Sequence, residues 1–286
     1  MHLPPEIIAI DWGATSQKRQ LCRAVLRGRR YSMERPEPVP DPGALELPPG
    51  ALVGFDCPIG VSAEYAARAE LGSFRAALRA FGHGRFEHFY DVATSPTEIE
   101  TERPFYPARS SGASREELRR RLGDAAFALR PCDRATGAGP LFWLVGAKQC
   151  GRSSITVWRE ILAPRLDSIA LWPFDGRLDV LLRSGKPVVA EMYPAWLLKT
   201  LGVEISGKRD PAARAEAGSA IVERVSGVDL IAVRELLLTG FGSSPSGEDA
   251  FDATISALAL VALLTGDRIP EPPEEVRAVE GWILGL

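Results

Sequence analysis

Glu6-Ile7-Ile8-Ala9-Ile10-Asp11-Trp12-Gly13-Ala14-Thr15 is an apolar run that stops on a carboxylate and then on a glycine turn. A short β-branched run bounded by turn residues predicts a buried strand. A carboxylate directly after such a run needs a reason, because a buried unpaired charge is costly. The pattern occurs twice more. Ala51-Leu52-Val53-Gly54-Phe55-Asp56 is stopped by Cys57-Pro58-Ile59-Gly60, and Pro187-Val188-Val189-Ala190-Glu191-Met192 finishes on an acid. Residues 19–26 and 30–35, joined at Gly28, read as two further strands that form an antiparallel meander with the first. A meander followed by alternating strands and helices gives the fold class: α/β, a mixed sheet flanked by helices.

Working outward, Ser62 reads as the N-cap of an amphipathic helix over 63–81. Residues 36–49 are Pro-rich and read as loop. Residues 82–150 are rich in Gly, Pro, Arg and aromatics, with a helix around 114–129. The spacing then predicts a helix near 154–162, strands at 168–172 and 178–183, and helices over 195–201, 211–225, 228–239 and 249–264. The expected organisation is a core of residues 1–81 and 166–286 carrying a large, mainly helical and loop insertion at 82–165, a lid or subdomain.

The chain has 286 residues with 45% apolar and 25% charged side chains, an ordinary globular composition that excludes disorder as the default. Lys and Arg number 34 against 37 Asp and Glu, a formal net charge of −3, which argues against a simple nucleic-acid-binding module. The segment from Arg103 to Arg134 departs from this, with eight Arg against four acids. No apolar run is long enough to span a membrane and no signal peptide is evident, so the expected setting is cytoplasmic, without a membrane partner. Cys22, Cys57, Cys132 and Cys150 are widely spaced, and with only three histidines a structural zinc site is not expected.

The acids form the chemical pattern. Asp11, Asp56 and Glu191 end three apolar strands, and the carboxyl ends of strands are where open α/β sheets bind ligands. Asp249 and Asp252 are spaced i and i+3 on one helix face that continues through Ser256 and Leu260, so that face points inward. Each acid also has a structural explanation: Asp11 and Asp56 as turn formers, Glu191 as an arginine partner, Glu248, Asp249 and Asp252 as acids at a helix N-terminus. If they converge, two unit charges about 4 Å apart repel by about 4 kcal/mol at an effective dielectric near 20. Such a cluster needs a cation or must take up protons. An all-oxygen donor set selects Mg2+ or Mn2+. Two such ions about 3.5–4 Å apart activate a water and stabilise a phosphodiester leaving oxygen.

Ile8-Ala9-Ile10-Asp11-Trp12-Gly13-Ala14, Gly54-Phe55-Asp56-Cys57-Pro58-Ile59-Gly60, Glu191-Met192-Tyr193-Pro194 and Asp249-Ala250-Phe251-Asp252-Ala253 resemble domain-of-unknown-function family 429. Leu141-Phe142-Trp143 with Gly146, and the stretch from Gly151 to Trp158, resemble its middle segment, so the likeness covers nearly the whole chain. The resemblance implies an RNase H-like fold and a nuclease. A more distant likeness is to RuvC-type Holliday-junction resolvases, whose two-metal site would fall here on Asp11, Asp56, Asp249 and Asp252, with Tyr193-Pro194, Lys199 and Gly207-Lys208 similar to the segment after their fifth strand. In that comparison Glu191 is an extra acid. Asp11 would bridge both ions, Asp56 or Glu191 would complete one site, and Asp249 with Asp252 the other.

The expectation is therefore a divalent-metal-dependent nuclease or phosphodiester hydrolase acting on a nucleic acid or a nucleotide. Candidate substrate-binding residues are Arg103, Arg109, Lys148, Arg152 and Lys208, for each of the last three of which a solvated surface position is the plainer reading. Aromatics from Phe86 to Trp143 are candidates for base stacking, with Phe142 and Trp143 the better placed for packing. Two alternatives stand beside this one. Asp11-Trp12-Gly13-Ala14-Thr15 looks like the first phosphate turn of actin-like ATPases and sugar kinases, with Gly137-Ala138-Gly139 and Gly240-Phe241-Gly242 as weak second turns. A non-catalytic nucleotide- or protein-binding member is the other. Neither His83 nor His88 lies near a nucleophilic Ser or Cys in a suitable turn, which argues against covalent catalysis.

Overall fold

In a computed structural model of the chain, residues 2–13, 15–39, 41–146, 149–266 and 269–286 are described. The chain forms two compact units: Met1–Asp56 with Ser168–Glu271 and Ile283–Leu286, and Cys57–Asp167 with Pro272–Trp282. Among the described residues no helix is long and apolar enough to cross a membrane.

The first unit holds the sheet. Its strands are β1 (Glu6–Trp12), β2 (Arg19–Arg27), β3 (Arg30–Met33), β4 (Glu37–Pro38), β5 (Leu52–Phe55), β6 (Ala170–Leu171), β7 (Val188–Glu191) and β8 (Val228–Asp229). They lie in the order β6-β7-β5-β1-β2-β3-β8, with β4 pairing beside β2. β1, β2 and β3 form the antiparallel meander, and β5, β7 and β6 run parallel to β1. The β2–β3 connection is a two-residue turn in which Gly28 sits at φ +66°, where a glycine fits without strain.

The Gly247–Thr265 helix packs on β1 and β2. Small residues make room for it: Ala9, Cys22, Gly54 and Ala190 fall in one row across β2, β1, β5 and β7. A Cβ on Gly54 would lie 2.9 Å from Met192 Sδ and 3.2 Å from Leu260 Cδ1. The helix is buried over most of its circumference, which explains its nearly uninterrupted apolar sequence after Asp252.

Two elements differ in type from the sequence expectation. Leu178–Leu181 is helical and not a strand. Leu178, Leu181 and Leu182 are buried while Val180 is 56% exposed, a helical period that six residues are too few to reveal. Residues 228–239 are not one helix: β8 pairs with β3, the Asp229 side chain accepts from the Ile231 N–H at 3.0 Å, and only Arg234–Leu238 is helical.

The second unit contains Ala63–Arg68 and Phe74–Ala80, which the sequence reading assigned to the core as one helix. Glu70 at φ +54° interrupts it, and Ser73 starts a new helix by accepting from the Ala76 N–H. Arg115–Leu122 ends at Gly123, and Gly151–Thr156 continues as a π-helical turn over Val157–Leu162. The core of this unit is aromatic: Phe81 stacks on Phe89, and Phe86, Phe105 and Trp158 surround them. Trp158 Nε1 and Ser154 Oγ both donate to the Pro58 carbonyl. A buried Arg130–Asp133 pair, bonded through two guanidinium nitrogens, also reaches the Glu280 carbonyl.

Candidate functional site

Strand register decides which acids meet. Ile10 pairs with Phe55 and Phe55 with Glu191, and the Asp56 N–H donates to the Ile10 carbonyl at 3.0 Å. Side chains alternate between faces along a strand. Ile10, Trp12, Phe55 and Glu191 therefore share one face, where the Trp12 and Phe55 rings meet edge to face. Asp11 and Asp56 follow Ala9 and Gly54 on the other, the face that the Gly247–Thr265 helix covers. Alternation thus separates two acids that the sequence leaves as alternatives: Asp56 stands with Asp11, whereas Glu191 is buried on the opposite face and its charge is a minor influence on Asp56.

The helix brings its acids to the same place. Asp249 lies close enough to Asp11 for its charge to raise the Asp11 carboxyl. Asp252 is 5% exposed and its Oδ2 accepts from the Lys208 ammonium. Three buried oxygens on this face, Asp249 Oδ2, Asp252 Oδ1 and Ser256 Oγ, have no hydrogen-bond partner among the described residues. A cavity of about 510 Å³ opens beside the Lys208–Asp252 pair, walled by Leu198, Val203 and Ile255.

The electrostatics show the crowding. Burial, and then Asp56, Asp252 and Asp249, hold Asp11 well above the usual carboxylate range. Burial and then Asp252 push Asp56 up to about 7. Burial pushes Asp252 up to about 6 against the pull of Lys208. Asp249 is raised by burial, with Lys18 and Lys208 opposing. Burial disfavours the Lys208 charge, yet Asp252, Asp56 and Glu248 outweigh it and keep the ammonium above its ordinary range. Lys208 thus opposes the crowding that burial and the neighbouring acids impose.

Lys208 was expected either to meet substrate or to be solvated, and it lies among the acids instead, its Nζ 3.8 Å from Glu248 Oε1 as well as on Asp252. The other candidate basic residues belong to the second unit. Arg103 pairs with Glu98 at 3.4 Å and donates to the Asp91 and Val92 carbonyls. Arg152 holds the Pro107 and Ala108 carbonyls, Arg109 is exposed, and Lys148 lies outside the described residues. The candidate stacking aromatics Phe86, Phe89, Tyr90, Phe105, Tyr106 and Phe142 are all buried, so they build a core and present no stacking surface.

The glycine pairs also have structural roles. Gly137 ends the Pro131–Thr136 helix in the left-handed conformation. The Gly240 and Gly242 carbonyls accept from Arg214 at 2.8 and 2.7 Å. Arg214 itself was not singled out from the sequence. The signal was present: it shares the buried face of the Pro211–Arg224 helix with Ala217, Gly218 and Ile221, where an arginine must be bonded. No protein-family model, curated protein or solved structure matches the chain.

Proposed function

We propose that the protein is a divalent-metal-dependent phosphodiester hydrolase with an RNase H-like core, related to domain-of-unknown-function family 429. In this reading Asp11, Asp56, Asp249 and Asp252 hold Mg2+ or Mn2+, and the substrate is a nucleic acid or a nucleotide. The observation that carries it is the grouping of four aspartates at one end of the sheet, two of them with buried oxygens that have no hydrogen-bond partner among the described residues. An antiparallel meander that continues into parallel strands supports the core assignment.

The residues suit such an ion chemically. The donors are all oxygen, and the repulsion between Asp11 and its neighbouring acids is of the kind that a divalent cation relieves. Among the described residues no three of these aspartates bring donor oxygens within 4.8 Å of one another, so an ion would have to draw them together. When bound, the ion supplies a polarised water and charge stabilisation for a leaving oxygen. The chain's own part is positioning. Backbone bonds fix Asp11 and Asp56 at strand ends, and a buried helix holds Asp252.

The test is thermal melting in EDTA, Mg2+ and Mn2+, joined to cleavage assays on single- and double-stranded nucleic acid. A specific ion at about 100 times its Kd adds about 2.7 kcal/mol of stability. Asp11→Asn is expected to abolish metal-dependent cleavage while the fold survives. Hydrolysis unchanged in that variant would remove the basis of the reading.

A further inference from the structure

One group in the site is already a cation, and it is built in. Lys208 Nζ donates to Asp252 Oδ2 and stands 3.8 Å from Glu248 Oε1, with its side chain 32% exposed. Its backbone is anchored by a buried clamp. Arg214, 2% exposed, donates from Nη1 to the Lys208 carbonyl at 2.7 Å, from Nε to Gly240 and from Nη2 to Gly242. The clamp ties Lys208 to the loop that leads into the Gly247–Thr265 helix, the helix that carries Glu248, Asp249 and Asp252. Gly240 makes the clamp possible: at φ +61° its added Cβ would lie 2.0 Å from the Pro211 carbonyl.

We infer that Lys208 is the standing second cation of this site, so that the aspartates bind one divalent ion, shared by Asp11, Asp56 and Asp249, where the sequence suggests two. The inference rests on the metal reading above and sharpens it. A second ion at Asp252 would compete with the ammonium that Oδ2 already holds and would sit against a positive charge whose backbone the Arg214 clamp keeps in place. Lys208 is thus a positioning residue. It neutralises Asp252, leaves Asp252 Oδ1 available, and reserves the remaining three acids for a single ion.

The experiment is a Mn2+ titration of the full chain followed by electron paramagnetic resonance, with no nucleotide present. Wild type is expected to bind one Mn2+. Lys208→Ala and Lys208→Gln are expected to bind two, with the spectral broadening of a coupled pair. Lys208→Arg, which keeps the charge, should return the count to one. Two ions in wild type, or one in both neutral variants, would overturn the inference and leave the metal reading standing. No Mn2+ in any of the four proteins would overturn both. Circular dichroism confirms the fold of each variant, and should the neutral variants not fold, the wild-type count decides between one and two.

Discussion

Asp56 and Asp252 titrate at about 7 and about 6, far from the ordinary aspartate value of 3.8, because burial and mutual repulsion disfavour their charge. The fold therefore favours their protonated forms. The stability this contributes is complete below the unfolded carboxylate range and is lost as pH rises through about 6 to 7. In EDTA the protein is expected to become less stable from pH 5 to pH 8, by on the order of a few kcal/mol, as melting at several pH values will show. Asp56→Asn should flatten that slope and be at least as stable as wild type at pH 8, while losing tenfold or more in Mn2+ affinity. Flat stability from pH 5 to 8 in wild type would contradict the close grouping of these acids. The acids were legible in the sequence because a carboxylate after an apolar run is expensive enough to need a purpose. Lys208 was not, since a lysine after a glycine turn carries no mark of which carboxylate it meets.

The Gly247–Thr265 helix reaches the sheet only because the row beneath it is small. Gly54→Val is expected to force Met192 and Leu260 apart and to lose about 1–3 kcal/mol in chemical denaturation. Arg214→Met removes three charge-assisted bonds to carbonyls and should lose about 3 kcal/mol or more, since each such bond contributes about 1.5–3 kcal/mol. Strands β1, β5 and β7 and this helix were readable because their apolar runs are long or sharply punctuated. Leu178–Leu181 and the 228–239 stretch were not, because short apolar segments fit either period and tertiary burial decides between them.

Across the whole chain, the positive charge of the 103–134 segment indicated a phosphate-binding surface, and much of it is occupied internally. Arg130 is buried on Asp133, Arg120 pairs with Glu117, and Arg115 lies over Phe127 and Trp143. Net charge is visible in a sequence, but the pairing of each arginine is a property of the fold. Arg130→Ala would strand Asp133 in the interior and is expected to lose about 3–5 kcal/mol in a denaturant titration. Phe89→Ala should lose about 3–5 kcal/mol by opening the aromatic core. A small loss of stability with a large loss of nucleic-acid affinity in Phe89→Ala would instead restore a stacking role.

The path of the backbone has one more result. It passes from one unit to the other after Asp56, Asp167, Glu271 and Trp282, so each unit is assembled from separated stretches. The Glu191 carbonyl at the end of β7 accepts from the Leu284 N–H, and Trp196 donates to the Gly285 carbonyl. A ribosome must therefore deliver residue 284 before the end of β7 gains its last backbone partner. Neither unit can be cut out as an uninterrupted fragment, and a truncation that removes only the last four residues would unsettle a strand made almost a hundred positions earlier.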